Sequence, residues 1–503
     1  MKKTASGYRL IFGYLGLFIA FVGVAILLPL LAGFAYPDEF KADWYCFVIP
    51  GCAAIIGGSF MFGMLIAGRS KAQLGKHQDS ILLVLIWVSA IFISAVPFLL
   101  EKDMNLSFTD AMFETTSCYA TVGLSIFKES DYVHHLFVLY RSVLCFLGGI
   151  GLVLIITSAI SDRYGLKLYL AEGHNDKLMP NLARSARVIL ALYSGFMVFG
   201  FVLYIIAGMT PYDAIVHSVS AFATAGFSSH YEGITYFASF PNYWAIQVVS
   251  IVLMLLGATN FLLALFLLTG RFKKVFKDCE IKFFGILCLV CIPLFFMTAM
   301  FARIGQGIGA GKTFVESSFT YLSAITTTGF ANVSDLKTLG EGTLLLVTVM
   351  NIIGGGMGST SGGVKQYRFV LAFKSFYWNT REATASPNKI YPHFVYRCGN
   401  EKEVSHDESA NAFGFILLYV TVLFVGGLFV TIFNKGQSNF GDSLFEFGNA
   451  LACTGLSIGV SAAATNGAKW VFIAGMFAGR LEIIAIYFAF FRAFRDLFRK
   501  ETY

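Results

Sequence analysis

Ala120-Thr-Val-Gly-Leu-Ser125, Ala223-Thr-Ala-Gly-Phe-Ser228, Thr326-Thr-Thr-Gly-Phe-Ala331 and Ala452-Cys-Thr-Gly-Leu-Ser457 are four versions of one short motif. Their glycines, Gly123, Gly226, Gly329 and Gly455, lie 103, 103 and 126 residues apart. Thirteen residues before each glycine stands an acid: Asp110, Asp213, Glu316 and Asp442. Six before each stands a small polar residue: Ser117, Ser220, Ser323 and Asn449. A single Thr-x-Gly carries almost no information. Four copies in register, with the same flanking residues, define an internal repeat. Small residues are common in membrane helices, but that does not place an acid at one offset four times.

The sequence around these motifs is that of an integral membrane protein. The chain has 503 residues, is 56% hydrophobic and only 13% charged, where a soluble protein carries roughly a quarter charged residues. A bilayer core takes about 20 apolar residues as helix. Runs of that kind occupy residues 9–33, 45–68, 81–100, 136–160, 187–208, 243–269, 283–302, 342–358, 411–433 and 470–491. Four shorter segments, 108–120, 211–223, 314–326 and 442–452, lead into the four glycines. They are too short to span, so they read as re-entrant helices, which survive at membrane depth only against protein or a water-filled cavity. Each unit is then span, short helix, loop, span. The expected fold is an all-α polytopic membrane protein with four pseudo-symmetric repeats around one pore, preceded by two further transmembrane helices. The divisions are 1–75 for the N-terminal helix pair, 76–162, 163–275 and 276–368 for repeats one to three, 369–410 for a cytoplasmic connector, and 411–503 for repeat four and its tail.

Charge sets the orientation. With the N-terminus inside, Lys2, Lys3, Arg9, the loop 69–76, the segments 163–187, 271–277 and 365–402, and the tail 492–500 are all cytoplasmic, and they hold most of the 37 Lys and Arg. That is the positive-inside pattern, and it puts the loop mouths outside and both termini in the cytoplasm; the expected location, a plasma membrane and specifically a bacterial inner membrane, does not follow from charge. Topology accounts for the net charge of +7, so the expected surroundings are lipid and not nucleic acid. The nine cysteines are scattered, mostly in apolar runs, and read as reduced packing residues. The eight histidines show no HExxH spacing, and the chain has no P-loop and no GxGxxG after a strand. An enzyme is not expected.

The loops suit a bare cation. An ion leaving water must exchange its hydration shell for fixed oxygens, and successive inward carbonyls supply them. Glycine permits the required backbone angles, and a neighbouring Thr can add its hydroxyl. The expected filter is Thr121, Val122, Gly123, Thr224, Ala225, Gly226, Thr327, Thr328, Gly329, Cys453, Thr454 and Gly455, with the transported ions as its only ligand and no covalent cofactor. The acid at each short helix start reads chiefly as an N-cap suited to the positive end of the dipole. The negative end then faces the pore and favours a cation. These arguments select cations over anions and leave potassium against sodium open.

Two features interrupt the spans. Gly354, Gly355, Gly356, Gly358, Gly362 and Gly363, with Ser359, Thr360 and Ser361, fall within ten residues of a would-be span. Each glycine costs a helix about 1 kcal/mol relative to alanine, so an unwound stretch is expected. It reads as an intramembrane gate below the third filter, the alternative being a seam of small residues between helices. Arg480 lies 11 residues into the last span. An arginine at that depth usually lines a polar cavity, so it reads as a fixed cation in the pore, the alternative being a structural ion pair. Glu482, two residues on, points elsewhere on a continuous helix. Arg141 is placed to meet a short-helix carboxylate such as Glu114. His217 reads as a hydrogen-bonded packing residue.

These residues resemble the Trk/Ktr/HKT superfamily of potassium transporters over nearly the whole chain. The likeness rests on the four loops, on Arg141-Ser-Val-Leu-Cys-Phe-Leu-Gly-Gly-Ile-Gly151, on Gly354-Gly-Gly-Met-Gly-Ser-Thr-Ser-Gly-Gly-Val-Lys365 and on Gly479-Arg-Leu-Glu-Ile483. The two extra N-terminal spans resemble the bacterial Trk membrane subunit. Glycine in all four loops implies potassium as the ion. The resemblance also implies a homodimer, one pore per protomer, and soluble cytoplasmic nucleotide-binding subunits of the RCK type. The sequence departs from the family at Cys145-Phe146, where Gln-Trp is usual, and at Cys453-Thr454 in the fourth loop. Two modes of transport stay open: a channel-like pore, and a potassium symporter coupled to H⁺ or Na⁺. An even number of crossings between loops gives every repeat one orientation, which favours the first, since inverted repeats mark many coupled transporters.

Overall fold

The structure is a computed structural model, and it describes residues 5–6, 8–66, 72–73, 78–127, 133–151, 182–385 and 392–498. The latter half of the expected span 136–160 and most of the basic segment 163–187 lie outside these residues. Among the described residues the fold is all-α apart from two small strand pairs. Among the described residues, six helical stretches are long and apolar enough to cross a membrane: Arg9–Phe34, Pro37–Met64, Ser80–Leu100, Arg184–Ile206, Cys279–Ala302 and His406–Phe433. Helices His135–Ile150 and Glu341–Ile353 are apolar and shorter.

Two expected spans are broken. The run 243–269 is two helices, Tyr243–Gly257 and Phe261–Leu268, bent by 116°. Hydrophobicity is continuous across the break, but Asn260 caps the second helix by accepting from the Leu262 amide at 2.8 Å. The last span bends by 97° between Asn466–Leu481 and Ile483–Phe491. Glu482 sits at the break with φ +60°, so it does not share a continuous helix with Arg480.

The chain forms two compact units. The first comprises residues 1–121, 125–194 and 476–503. In it α1 (Tyr8–Leu27) and α2 (Pro37–Ile66) pack as a pair. A Cβ on Gly16 would lie 2.7 Å from the Gly58 carbonyl oxygen, and one on Gly23 would lie 2.7 Å from that of Gly51. Two glycine pairs thus bring the backbones into contact, as small residues do between membrane helices. The outer face of α2 exposes Ile49, Ile56, Phe60 and Met64, an apolar belt suited to lipid. Next come α3 (Gln78–Leu100), the short α4 (Phe108–Tyr119) and α5 (His135–Ile150).

The second unit comprises residues 122–124 and 195–475. It holds the C-terminal part of α6 (Leu182–Ile206), then α7 (Pro211–Phe222), α8 (Tyr243–Gly257), α9 (Phe261–Leu268), α10 (Phe272–Lys277), α11 (Cys279–Ala302), α12 (Ala310–Ile325) and α13 (Glu341–Ile353). It continues with α14 (Gln366–Ala383), α15 (His406–Phe433), α16 (Phe440–Ala452) and the start of α17 (Asn466–Leu481). The connector carries an antiparallel hairpin, Phe394–Arg397 with Asn400–Glu403. Asp278 anchors its turn by accepting from the Cys398 amide at 2.7 Å, and Arg397 lies 4.1 Å over the Tyr367 ring. The helix α11 exposes Ile286, Leu289, Val290 and Phe301, a second lipid-suited face.

Candidate functional site: a ring of four glycine loops

Each short helix ends the same way. Thr121, Thr224, Thr327 and Cys453 stand at φ 51°, 52°, 54° and 55°, and Gly123, Gly226, Gly329 and Gly455 at 90°, 70°, 88° and 81°. A β-branched residue at positive φ is an outlier, and three of the four first positions are threonine. Helices α7, α12 and α16 close with Schellman hydrogen bonds. The amides of Ala225, Thr328 and Thr454 donate to the carbonyls of Ser220, Ser323 and Asn449 at 2.8, 2.9 and 2.9 Å. Ser220, Ser323 and Asn449, six before their glycines, therefore act here through the backbone, and Asn449 also accepts from Asn351 and donates to the Phe445 carbonyl. Schellman turns usually place glycine at the left-handed position. Thr or Cys there hides the turn from sequence reading.

The four acids do not cap. Ser107, Thr210 and Asn439 are the N-caps of α4, α7 and α16, each accepting from the amide of the acid three residues on. The hydroxyls of Ser107 and Thr210 donate back to Asp110 and Asp213 at 2.7 Å. The pairing is a variant of the capping box in which the carboxylate accepts from the cap hydroxyl. Glu316 differs: α12 begins at Ala310, and Glu316 is buried a turn further in, 2.6 Å from Arg303.

The glycines meet in cyclic order. A Cβ on Gly123 would overlap the carbonyl oxygen of Ala225, one on Gly226 that of Thr328, one on Gly329 that of Thr454, and one on Gly455 that of Val122. Loop one touches two, two touches three, three touches four, and four touches one. Val122, Ala225, Thr328 and Thr454 are buried. The ring therefore excludes any side chain at the glycines and brings four backbone segments together.

A second pattern braces the loops, and the sequence reading missed it. Nine residues before each glycine stand Glu114, His217, Thr320 and Glu446, and two after stand Ser125, Ser228, Ala331 and Ser457. Ser125 donates to Glu114 at 3.1 Å, and the Ile126 amide donates to it at 3.1 Å. His217 Nε2 is 3.0 Å from Ser228 Oγ, with its Nδ1 2.9 Å from the Asp213 carbonyl. Glu446 accepts from Ser457 at 2.6 Å, from the Ile458 amide at 3.0 Å and from Ser461 Oγ at 2.7 Å. Thr320 and Ala331 offer no such pair, and Thr320 bonds instead to the Glu316 carbonyl. Arg141 reaches Glu114 at 3.6 Å, so that expected pairing is present.

The glycine-rich stretch is unwound. α13 ends at Ile353, α14 begins at Gln366, and Gly354, Gly358, Gly363 and Lys365 have φ between 69° and 81°. It lies against three loops. Thr360 Oγ1 bonds the carbonyls of Phe222 and Gly257 at 3.1 and 2.9 Å, and Thr224 Oγ1 at 3.2 Å. The Gly362 amide donates to Thr327 Oγ1 at 2.7 Å. A Cβ on Gly362 would overlap the Ala452 carbonyl, and one on Gly354 that of Gly362. Within the stretch, Ser359 Oγ donates to the Gly356 carbonyl at 2.6 Å and lies 2.7 Å from Ser361 Oγ. Its outer edge is held by Asn260 Nδ2 on the Met357 carbonyl at 2.6 Å and by the Met357 amide on Glu280 at 3.0 Å. Gly355 packs against Ser361 and Gly356 against Ala258, which accepts the Gly356 amide at 2.9 Å.

In the first unit, Arg480 takes the equivalent place at loop one. Its guanidinium donates to Thr121 Oγ1 at 3.2 Å, to the Gly149 carbonyl at 3.0 Å and to the Gly148 carbonyl. Thr121, Thr224 and Thr327 are thus each engaged through the hydroxyl, by Arg480, Thr360 and Gly362 respectively. Gly148 is itself pressed on the Tyr119 carbonyl, as Gly257 is on that of Phe222.

Residues 59–495 match the family model of the TrkH cation transport proteins. The chain belongs to the TrkH family. TrkH-type relatives include the Trk system potassium uptake protein TrkG of Escherichia coli, 28% identical over 97% of this chain and 98% of that protein. The Trk system potassium uptake protein TrkH of Vibrio parahaemolyticus is 29% identical over 95% and 97%. The crystal structure of the potassium transporter TrkH from that organism superposes with a TM-score of 0.81 at 26% identity, covering 95% of this chain and 98% of that one. This TrkH-family chain is an all-α, multi-pass membrane protein.

Proposed function

We propose that this chain is the potassium-translocating membrane subunit of a Trk-type uptake system, and that the loop ring is its selectivity filter. The observation that carries the reading is the cyclic contact of Gly123, Gly226, Gly329 and Gly455 with the carbonyls of the neighbouring loops. Four repeats with backbone oxygens gathered at one axis supply what a dehydrated cation requires. Relatives named for potassium uptake cover nearly the whole chain, which supports potassium as the ion bound at Thr121–Gly123, Thr224–Gly226, Thr327–Gly329 and Cys453–Gly455.

In this reading Gly354–Gly363 is the gate. Its bonds to Thr224 and Thr327 hold it against loops two and three, and its glycines permit a second conformation. Arg480 is a fixed cation beside loop one that limits occupancy. Transport is channel-like, down the potassium gradient, with the loop mouths external and both termini cytoplasmic. The chain pairs as a homodimer in a bacterial inner membrane, with RCK-type nucleotide-binding subunits on its cytoplasmic face. The test is ⁸⁶Rb⁺ flux into proteoliposomes holding this chain alone, with Gly455→Ala as the variant. Flux in the wild type and its loss in the variant are expected; equal flux in both would remove the ring from the pathway.

A further inference from the structure

Outside the four loops, three metal-ligating side chains converge. Asp43 lies in the second turn of α2, Glu101 follows the last residue of α3, and His134 caps α5. One donor atom from each lies within 4.8 Å of the other two. All three belong to the first unit. Asp43 and Glu101 are only 3% and 4% exposed. His134 Nδ1 is 2.6 Å from Asp43 Oδ2. The Glu101 carboxylate is oriented by the amides of Asp103 and Met104, and each of its oxygens keeps a further lone pair. The neighbouring His135 is engaged separately, by Glu39 at 2.8 Å through its ring and at 2.7 Å through its amide.

The charges do not balance. With both buried carboxylates ionised against one imidazole, the cluster carries a net negative charge even when that imidazole is protonated. Burying uncompensated charge is costly. A divalent cation with a neutral imidazole brings the sum to zero. We infer that Asp43, Glu101 and His134 form a binding site for a first-row divalent metal, with zinc the best match. One nitrogen and two carboxylate oxygens, with a fourth position for water, is a zinc-type donor set, and the imidazole disfavours calcium and magnesium. Donors at about 2.0–2.1 Å from zinc in a tetrahedron sit roughly 3.3 Å apart, so a metal replaces the 2.6 Å Asp43–His134 hydrogen bond with a slightly wider spacing and draws Glu101 in by rotation about its side-chain bonds. The metal joins α2 to the ends of α3 and α5. It gives the N-terminal helix pair a role: a metal-fastened brace on the first repeat.

The experiment uses the full-length, tag-free chain in detergent, stripped with chelator and titrated with ZnCl₂, with MgCl₂ as the comparison. The expected results are one zinc per chain by calorimetry and elemental analysis, and a melting temperature raised by at least about 3 °C at saturating zinc. Magnesium leaves the melting temperature unchanged. Glu101→Gln and His134→Gln weaken zinc binding at least tenfold, and His135→Gln leaves it intact. Cobalt(II) provides a reading on the wild type that needs no variant: d–d bands of a four- or five-coordinate N/O site, displaced by zinc. No saturable zinc binding, no zinc-displaceable cobalt spectrum, or zinc binding undiminished in both Glu101→Gln and His134→Gln would overturn the site.

Discussion

The amide of Gly362 donates to Thr327 Oγ1 over 2.7 Å, which fastens the unwound stretch of α13–α14 to the third glycine loop. Thr327→Val keeps the shape and removes the acceptor. A buried amide left without a partner costs about 1–3 kcal/mol, which corresponds to a shift of roughly 5- to 150-fold in the population of the docked stretch. The proposed gate is then docked less often, and ⁸⁶Rb⁺ flux through the isolated chain rises. Unchanged flux in a folded variant would mean that this contact does not hold the gate.

The ring tolerates no side chain. Gly329 has φ 88°, and a Cβ there would overlap the Thr454 carbonyl. Gly329→Ala is expected to abolish flux and lower the melting temperature, because both the backbone angle and the neighbouring loop must give. Gly285, with open space at its Cβ, is the control: Gly285→Ala leaves flux within about twofold and gains the helix propensity of alanine, about 1 kcal/mol.

Much of this was readable in advance, for physical reasons. The glycine register was legible because close backbone approach admits only glycine, so the constraint is written in residue identity. The unwinding at Gly354–Gly363 was legible because six glycines forfeit too much helix propensity. The braces were not: Glu114, His217 and Glu446 hold Ser125, Ser228 and Ser457 by one geometry with different chemistries, and no shared letter marks the position. The left-handed Thr121, Thr224 and Thr327 were hidden for the opposite reason, since threonine is the residue least expected there. The bends after Gly257 and at Glu482 fall inside runs whose hydrophobicity continues on both sides, although Asn260 before an apolar run is a readable helix start.

Glu446 offers a direct check on the braces. Its buried carboxylate accepts from Ser457 Oγ, Ser461 Oγ and two amides. Hydrogen bonds to a charged group contribute about 1.5–3 kcal/mol. Glu446→Gln loses the charge and one acceptor, and is expected to lower stability by about that amount and to reduce K⁺ over Na⁺ discrimination. Ala331→Ser adds a hydroxyl at the matching position of the third loop, where Thr320 stands in place of a carboxylate, and is expected to change neither. Thermal unfolding and competition flux read both.

Arg480 tests the proposed fixed cation. It holds Thr121 and the Gly148 and Gly149 carbonyls. A fixed positive charge near a conducted cation repels it, the more so the lower the effective dielectric. Arg480→Gln keeps a donor for the carbonyls and removes the charge, so conductance is expected to rise. Arg480→Lys retains the charge and stays near wild type. Equal conductance in all three would reduce Arg480 to a structural clamp.

The central claim is a potassium-selective, uncoupled pathway through the ring. It is tested most directly by ⁸⁶Rb⁺ uptake into proteoliposomes under an imposed membrane potential, with Na⁺ as competitor, for the wild type and Gly123→Ser. Uptake that follows the K⁺ gradient without any Na⁺ or H⁺ gradient, and loses its preference over Na⁺ in Gly123→Ser, is the predicted result. Uptake that appears only with a Na⁺ or H⁺ gradient would contradict it and make the chain a symporter.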